Sequence, residues 1–248
     1  MPAVETTGLT KRYGDVVALS DFSLSVADGE LFGLLGPNGS GKTTTIEILT
    51  GQREPTDGSA TVLGSDPVSD PLAVRRAIGI LPEREDPPSF LTPREYLQFV
   101  GDVRGIEDVD DRIERWARKL EFRGVLDTLS GDLSEGERQR VMLSQAFVHE
   151  PDLVFIDEPL VNLDPLMQEE VKTHLREYCE AGNTLFLSTH FMAVAEELCT
   201  EVGIIADGEL VTQQDPREFE EGGLLDTFVD SVEGSAGTPG APVEVTEE

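Results

Sequence analysis

Leu31-Phe32-Gly33-Leu34-Leu35 runs directly into Gly36-Pro37-Asn38-Gly39-Ser40-Gly41-Lys42-Thr43-Thr44, and this stretch decides how the chain is read. An unbroken apolar run of this length suits a strand buried on both faces of a parallel sheet. The residues from Gly36 to Thr43 fit the pattern G-x-x-x-x-G-K-[ST]. Its glycines let the backbone curl until successive N–H groups converge on an anion. A helix starting near Gly41 aims its positive end at the same point. Lys42 supplies a formal charge for β- and γ-phosphates, and Thr43 offers a hydroxyl ligand to Mg²⁺. The expectation is strand, phosphate-binding loop and helix, with Gly36 through Thr44 as the nucleotide cradle.

Such a loop needs a second acid for the metal, carried to the carboxyl edge of a neighbouring strand. Leu153-Val154-Phe155-Ile156-Asp157-Glu158 supplies it. Asp157 is expected to hold Mg²⁺ through water. Glu158, one residue on, is placed to polarise an attacking water.

Outward from these two stretches the chain alternates. Short strands are expected at 5–9, 16–19 and 23–26, bounded by Gly14-Asp15 and Asp28-Gly29 turns. The helix after the loop should stop at Gly51, a C′ glycine. Another strand follows the Pro55-Thr56-Asp57-Gly58 turn at 60–63. Strands return at 153–156, 185–187 and 202–205, and Asp207-Gly208 signals a hairpin. From 87 to 149 the pattern is helical. Thr92-Pro93-Arg94-Glu95 reads as a capping box with proline at the first helical position. Further helices are expected at 109–120 and 134–147. Residues 231–248 are rich in Gly, Pro, Ala and acids, and read as a disordered acidic tail.

Forty-nine acids face nineteen bases over 248 residues, a formal net charge of −30. So large an excess repels phosphate backbones and argues against a nucleic-acid partner. It also opposes compaction unless salt screens it, and the Debye length shrinks to about 3 Å at 1 M. The composition resembles that of proteins from halophiles that accumulate salt. Only Lys11, Lys42, Lys119 and Lys172 are lysines, so a lysine in the phosphate loop stands out. No apolar stretch approaches the roughly 18 residues of a membrane span. Met1-Pro2-Ala3-Val4-Glu5 has neither a basic nor an apolar region of the signal-peptide kind. Cys179 and Cys199 both fall in segments read as helix and are expected to be reduced, inert thiols.

The remaining motifs carry a resemblance. Leu133-Ser134-Glu135-Gly136-Glu137 is similar to the L-S-G-G-Q signature of ABC transporter ATP-binding subunits, with Glu135 and Glu137 as departures. Ser134 and Glu137 also read as a second capping box, compatible with an anion site at a helix start. The resemblance covers roughly residues 4–225. It implies that Tyr13 stacks on adenine and that Glu83 stands where a glutamine usually contacts metal or water. It implies that Val161-Asn162-Leu163-Asp164 is the D-loop, although Asp164 before Pro165 is also an ordinary N-cap. It implies that His190, in Ser188-Thr189-His190, reaches the γ-phosphate, while His149 and His174 match no motif.

The implied fold class is α/β: a P-loop NTPase core with an N-terminal antiparallel β subdomain and a helical insertion. The implied domain spans residues 1–230, with the insertion at about 87–149. The resemblance implies that two such subunits stack head to tail, each ATP lying between one subunit's Gly36-to-Thr44 loop and the other's Ser134-to-Glu137 segment, whose Ser134 and Gly136 approach the γ-phosphate. The chain is thus expected to need a homodimeric or second ATP-binding partner and a membrane-spanning permease, docked near residues 83–96. Its expected place is cytoplasmic, on the inner face of the membrane. Export is the expected direction, judged from Lys11-Arg12-Tyr13-Gly14 and Leu81-Pro82-Glu83. The rival is a soluble ABC ATPase such as an iron–sulfur assembly subunit.

Overall fold

The computed structural model describes residues 1–83, 85–160, 163–219, 223–224 and 226–229. Val161 and Asn162 of the expected D-loop, and the expected tail at 231–248, lie outside the described residues.

The first half of the chain gives β1 (Val4–Tyr13), β2 (Val16–Val26), β3 (Leu31–Leu35), α1 (Lys42–Leu49) and β4 (Asp57–Val62). After these come α2 (Pro71–Ala77) and β5 (Ile78–Leu81), then α3 (Pro93–Arg104), α4 (Val109–Lys119) and α5 (Glu135–Phe147). The second half alternates β6 (Leu153–Asp157), α6 (Pro165–Glu180), β7 (Thr184–Thr189), α7 (Met192–Leu198), β8 (Glu201–Ala206) and β9 (Glu209–Gln214). One sheet has the order β2-β1-β4 and is antiparallel. The other has the order β5-β6-β7-β3-β8-β9, parallel except for its last pair.

Alternation along the central strands builds two cores. Leu31, Leu35, Val154, Ile156, Leu185 and Leu187 face one side. Phe32, Leu34, Leu153, Phe155 and Phe186 face the other, as the two-residue period of a strand requires. The second core is closed by α1 through Ile46, Ile48 and Leu49, and by the antiparallel sheet through Leu9, Phe22 and Val62. Three rings lock it across neighbouring strands: Phe186 lies 5.1 Å from Phe32 and 5.3 Å from Phe155, centroid to centroid. Truncating such a fully buried ring costs about 3–5 kcal/mol through the cavity it leaves. The first core is continuous with the helical segment, since Leu97, Ile113, Ala117 and Val141 belong to the same cluster as Val154.

Both expected capping boxes form. Thr92 and Glu95 cap α3, with Pro93 at its first turn, and Ser134 and Glu137 cap α5. Gly51 takes φ 68° just past α1, and Asp207 and Gly208 (φ 48° and 81°) turn β8 into β9. The segments expected as separate strands at 16–19 and 23–26 are one strand. Asp21 takes a left-handed φ of 47° between them, and bulges absorb the break while pairing with β1 continues. α2 and β5 carry too few residues for a periodic signal. β5 contains Gly79 and exists through its pairing with β6. Cys179 lies in α6, whereas Cys199 caps the end of α7; both are free thiols whose pKa burial raises.

Candidate nucleotide site

The loop between β3 and α1 is held by the end of β7, by the turn between β8 and β9, and by a bond within itself. Gly36 N–H donates to Thr189 O (3.3 Å), Ser40 N–H to Pro37 O (3.2 Å), and Gly208 N–H to Ser40 O (2.9 Å). No side chain fits at Gly36, where an added Cβ would stand 2.4 Å from Ile205 O and 2.5 Å from Ser40 Oγ. Gly41, at φ 112°, is closed in the same way by Ala18 O at 2.6 Å. These contacts call for glycine at Gly36 and Gly41; Gly39, at φ 83°, has open space around it, and its backbone conformation calls for glycine there.

A cavity of about 350 Å³ opens beside the loop. Its lining includes Asn38, Gly39, Gly41, Lys42, Thr43 and Thr44 from the loop, Glu83 from beyond β5, and Asp157 and Glu158 from the end of β6. Ala18, from β2, also lines it and carried no signal in the sequence, because its role is to be small and nearby. A second cavity of about 200 Å³, between α4, α5 and α6, is apolar, with Trp116, Phe147 and Tyr178 in its wall, and holds none of these groups.

Lys42 is buried, and its Nζ donates to Gly36 O (2.8 Å) and Pro37 O (3.1 Å). Burial pushes its pKa down, against the opposing charges of Glu158, Asp157 and Glu83. Asp157 Oδ2 accepts from Thr43 Oγ1 at 3.0 Å, and its Oδ1 accepts from Ser188 Oγ. A hydroxyl and a carboxylate at that spacing are hard oxygen ligands, which fits Mg²⁺. Among the described residues no group of three or more His, Cys, Asp or Glu could hold a metal.

Glu158 departs from the strand at φ 53°, a left-handed conformation that costs a non-glycine residue about 1–2 kcal/mol. Its N–H donates to Ser188 O at 3.0 Å. Oε1 lies 2.7 Å from His190 Nδ1 and 3.9 Å from Lys42 Nζ, and Oε2 accepts from Thr189 Oγ1 at 3.2 Å. A carboxylate at Oε1 makes Nδ1 the protonated nitrogen of His190. No motif assigns a role to Ser188 or Thr189. Their adjacency to His190, at the end of the strand beside β6, was the available signal.

Four expected contacts stand elsewhere. Tyr13, at the end of β1, is half exposed, with Lys11 Nζ 5.2 Å and Arg53 Cζ 5.5 Å from its ring centre. Ser134 caps α5: its N–H and Oγ donate to Glu137 Oε2, each at 2.8 Å. Gly136 follows in the first turn of α5, and Asp164 caps α6 by accepting from Leu166 N (3.0 Å) and Met167 N (3.1 Å). None of these four lines the cavity.

The family model described as ABC transporter matches residues 19–161, from β2 through the phosphate loop and α5 to the acids that end β6. The chain belongs to the ABC transporter family. Within that family it is 34% identical over 221 residues to the Nod factor export ATP-binding protein I of Ralstonia nicotianae, covering 88% of this chain and 68% of that one. It is 33% identical over 219 residues to the probable multidrug ABC transporter ATP-binding protein YbhF of Escherichia coli. The match covers 88% of this chain but spans only 38% of that relative's length. A solved ATP-binding subunit of an ABC transporter superposes with a TM-score of 0.81 at 28% identity, covering 94% of this chain and 98% of that one. A dimeric bacterial ABC transporter cassette superposes with a TM-score of 0.80 at 24% identity, covering 87% of this chain and all of the other. The fold is therefore that of an ABC ATP-binding cassette.

Proposed function

We propose that this chain binds ATP with Mg²⁺, hydrolyses it, and thereby powers export by a separate membrane-spanning permease. The observation that carries the reading is the junction of Lys42, Thr43, Asp157 and Glu158 around one cavity wall, with His190 bonded to Glu158 behind it. The loop amides and Lys42 bind and orient the phosphates. Thr43 and Asp157 hold Mg²⁺, which when bound neutralises charge on the β- and γ-phosphates. Glu158 takes a proton from the attacking water, and His190, tied to Oε1, keeps that carboxylate aimed. Glu83 lines the same cavity and contacts metal or water there.

The reading extends to a two-subunit site. Ser134 and Gly136 contact the γ-phosphate held by a partner subunit, Asp164 lies at the same interface, and Tyr13 stacks on adenine. An added Cβ at Gly136 would meet nothing within 4 Å. Helical glycine costs about 1 kcal/mol relative to alanine, so packing inside this chain does not call for it. Close approach of an external ligand does. The partner is a second copy or another ATP-binding chain; the relative with the dimeric cassette supports such pairing.

Among the described residues no helix is long and apolar enough to cross a membrane. On this reading the membrane-spanning permease is a separate polypeptide, and the chain sits against the cytoplasmic face of the membrane. Phe90, Phe99 and Val103, exposed on α3 and the loop before it, form the docking face. Arg104 ties that helix to α2 and β5 by donating to the carbonyls of Arg75, Arg76 and Ile78. The export-named relatives favour export over import. Affinity isolation of the tagged chain from native membranes in molar salt tests the reading: a polytopic membrane chain should copurify. Isolation of an iron–sulfur assembly complex instead would overturn it.

A further inference from the structure

β7 ends in two buried hydroxyls, and each meets one of the two acids that end β6. The parallel register sets Asp157 beside Ser188, whose Oγ donates to Asp157 Oδ1. One residue on, Thr189 is 1% exposed and its Oγ1 donates to Glu158 Oε2 at 3.2 Å. The same Oγ1 accepts from Phe191 N–H at 3.0 Å. With that lone pair engaged, the hydroxyl proton has the carboxylate as its acceptor. Glu158 is thus held at its N–H by Ser188 O and at Oε2 by Thr189. Oε1 is left on the side of His190 and Lys42.

We propose that Thr189 is a positioning residue for hydrolysis, fixing the Glu158 carboxylate so that Oε1 faces the water attacking the γ-phosphate. The proposal rests on the reading of Glu158 as general base. The left-handed backbone at Glu158 gives the side chain a direction, but rotation about its terminal bond would exchange the two oxygens. The hydrogen bond from Thr189 opposes that rotation. Misplacing a reacting group by about 1 Å can cost up to about 10²-fold in rate, so a single buried hydroxyl is enough to matter.

The test compares wild type, Thr189→Val, Thr189→Ser, Glu158→Gln and the Thr189→Val/Glu158→Gln pair, in the full chain at molar salt. Phosphate release gives kcat and KM, a fluorescent ATP analogue gives affinity without turnover, and a thermal melt reports folding. Thr189→Val should lower kcat about tenfold or more while KM and analogue affinity stay within about twofold. Thr189→Ser, which keeps the hydroxyl, should recover most of kcat. The pair should be no slower than Glu158→Gln, because the hydroxyl acts through that carboxylate. Unchanged kcat in Thr189→Val, or a serine variant as slow as valine, overturns the proposal. So do losses that multiply in the pair, which would assign the effect to the Phe191 turn. If valine prevents folding, Thr189→Ala deletes the same hydroxyl. Wild-type turnover in Glu158→Gln overturns the base itself, whereas loss there with full activity in Thr189→Val overturns only the positioning role.

Discussion

Thr43 Oγ1 donates to Asp157 Oδ2 at 3.0 Å, across 114 positions of sequence. The contact joins the start of α1 to the end of β6 and brings together the two side chains proposed to hold Mg²⁺. Around it the two acids divide: Asp157 faces Thr43 and Ser188, and Glu158 faces His190 and Thr189.

With Glu158 proposed as the general base, its charge is expected to matter to rate and not to binding. Glu158→Gln should keep ATP affinity and slow turnover by about 10²-fold or more, the usual cost of a lost general base. Steady-state phosphate release beside nucleotide titration reads both quantities. Near-normal turnover would remove Glu158 from the chemistry.

The placement of Ser134 away from the cavity of its own chain leads to a complementation test. Lys42→Ala and Ser134→Arg subunits should each bind ATP poorly as homodimers. In a mixed dimer one site collects both lesions and the other is intact. Random exchange makes about half the dimers mixed, so about a quarter of sites recover. Fluorescent-nucleotide binding should return on mixing. If subunit exchange is demonstrated and binding stays absent, Ser134 is not part of a shared site.

The charge of −30 is a term in the folding free energy. Lowering KCl from molar to 0.1 M lengthens the Debye length from about 3 Å to about 10 Å, and repulsion among the acids grows. The thermal midpoint should therefore fall on dilution. Identical melts at the two concentrations would show that self-repulsion does not limit stability.

His149 predicts an acid-side loss of stability. Its Nε2 lies 3.0 Å from Ile78 O, and burial, aided by Arg104 and Arg112, pushes its pKa from 6.5 down to about 4. Between those values the unfolded chain binds a proton that the folded chain does not. Stability should therefore fall as pH drops from about 6.5 towards 4, a contribution complete once pH is below the folded value. His149→Gln should flatten that part of the profile in denaturant titrations. An unchanged slope would show that His149 titrates normally.

The phosphate loop, the acids after β6 and both capping boxes were legible in sequence because each is a local arrangement. A glycine-rich turn, an apolar run ending in Asp157-Glu158, or Thr92 three residues before Glu95 needs only neighbouring residues to form. β5 and the continuous β2 were not legible, since a short strand with Gly79 and a strand bent at Asp21 take shape from their partners. The same limit applies to Ala18, Ser188 and Thr189. Adjacency to His190 places Ser188 and Thr189 near the site, but nothing in the local sequence of any of the three says which atom it touches. Ala18 matters because β2 passes over the loop, and Thr189 because parallel pairing sets the end of β7 beside Glu158. Sequence by itself determined the residue types and local backbone that can cradle a phosphate. Only the tertiary structure decided which hydroxyls hold which carboxylate, because those hydrogen bonds join strands that are distant in the chain and adjacent only in the folded sheet.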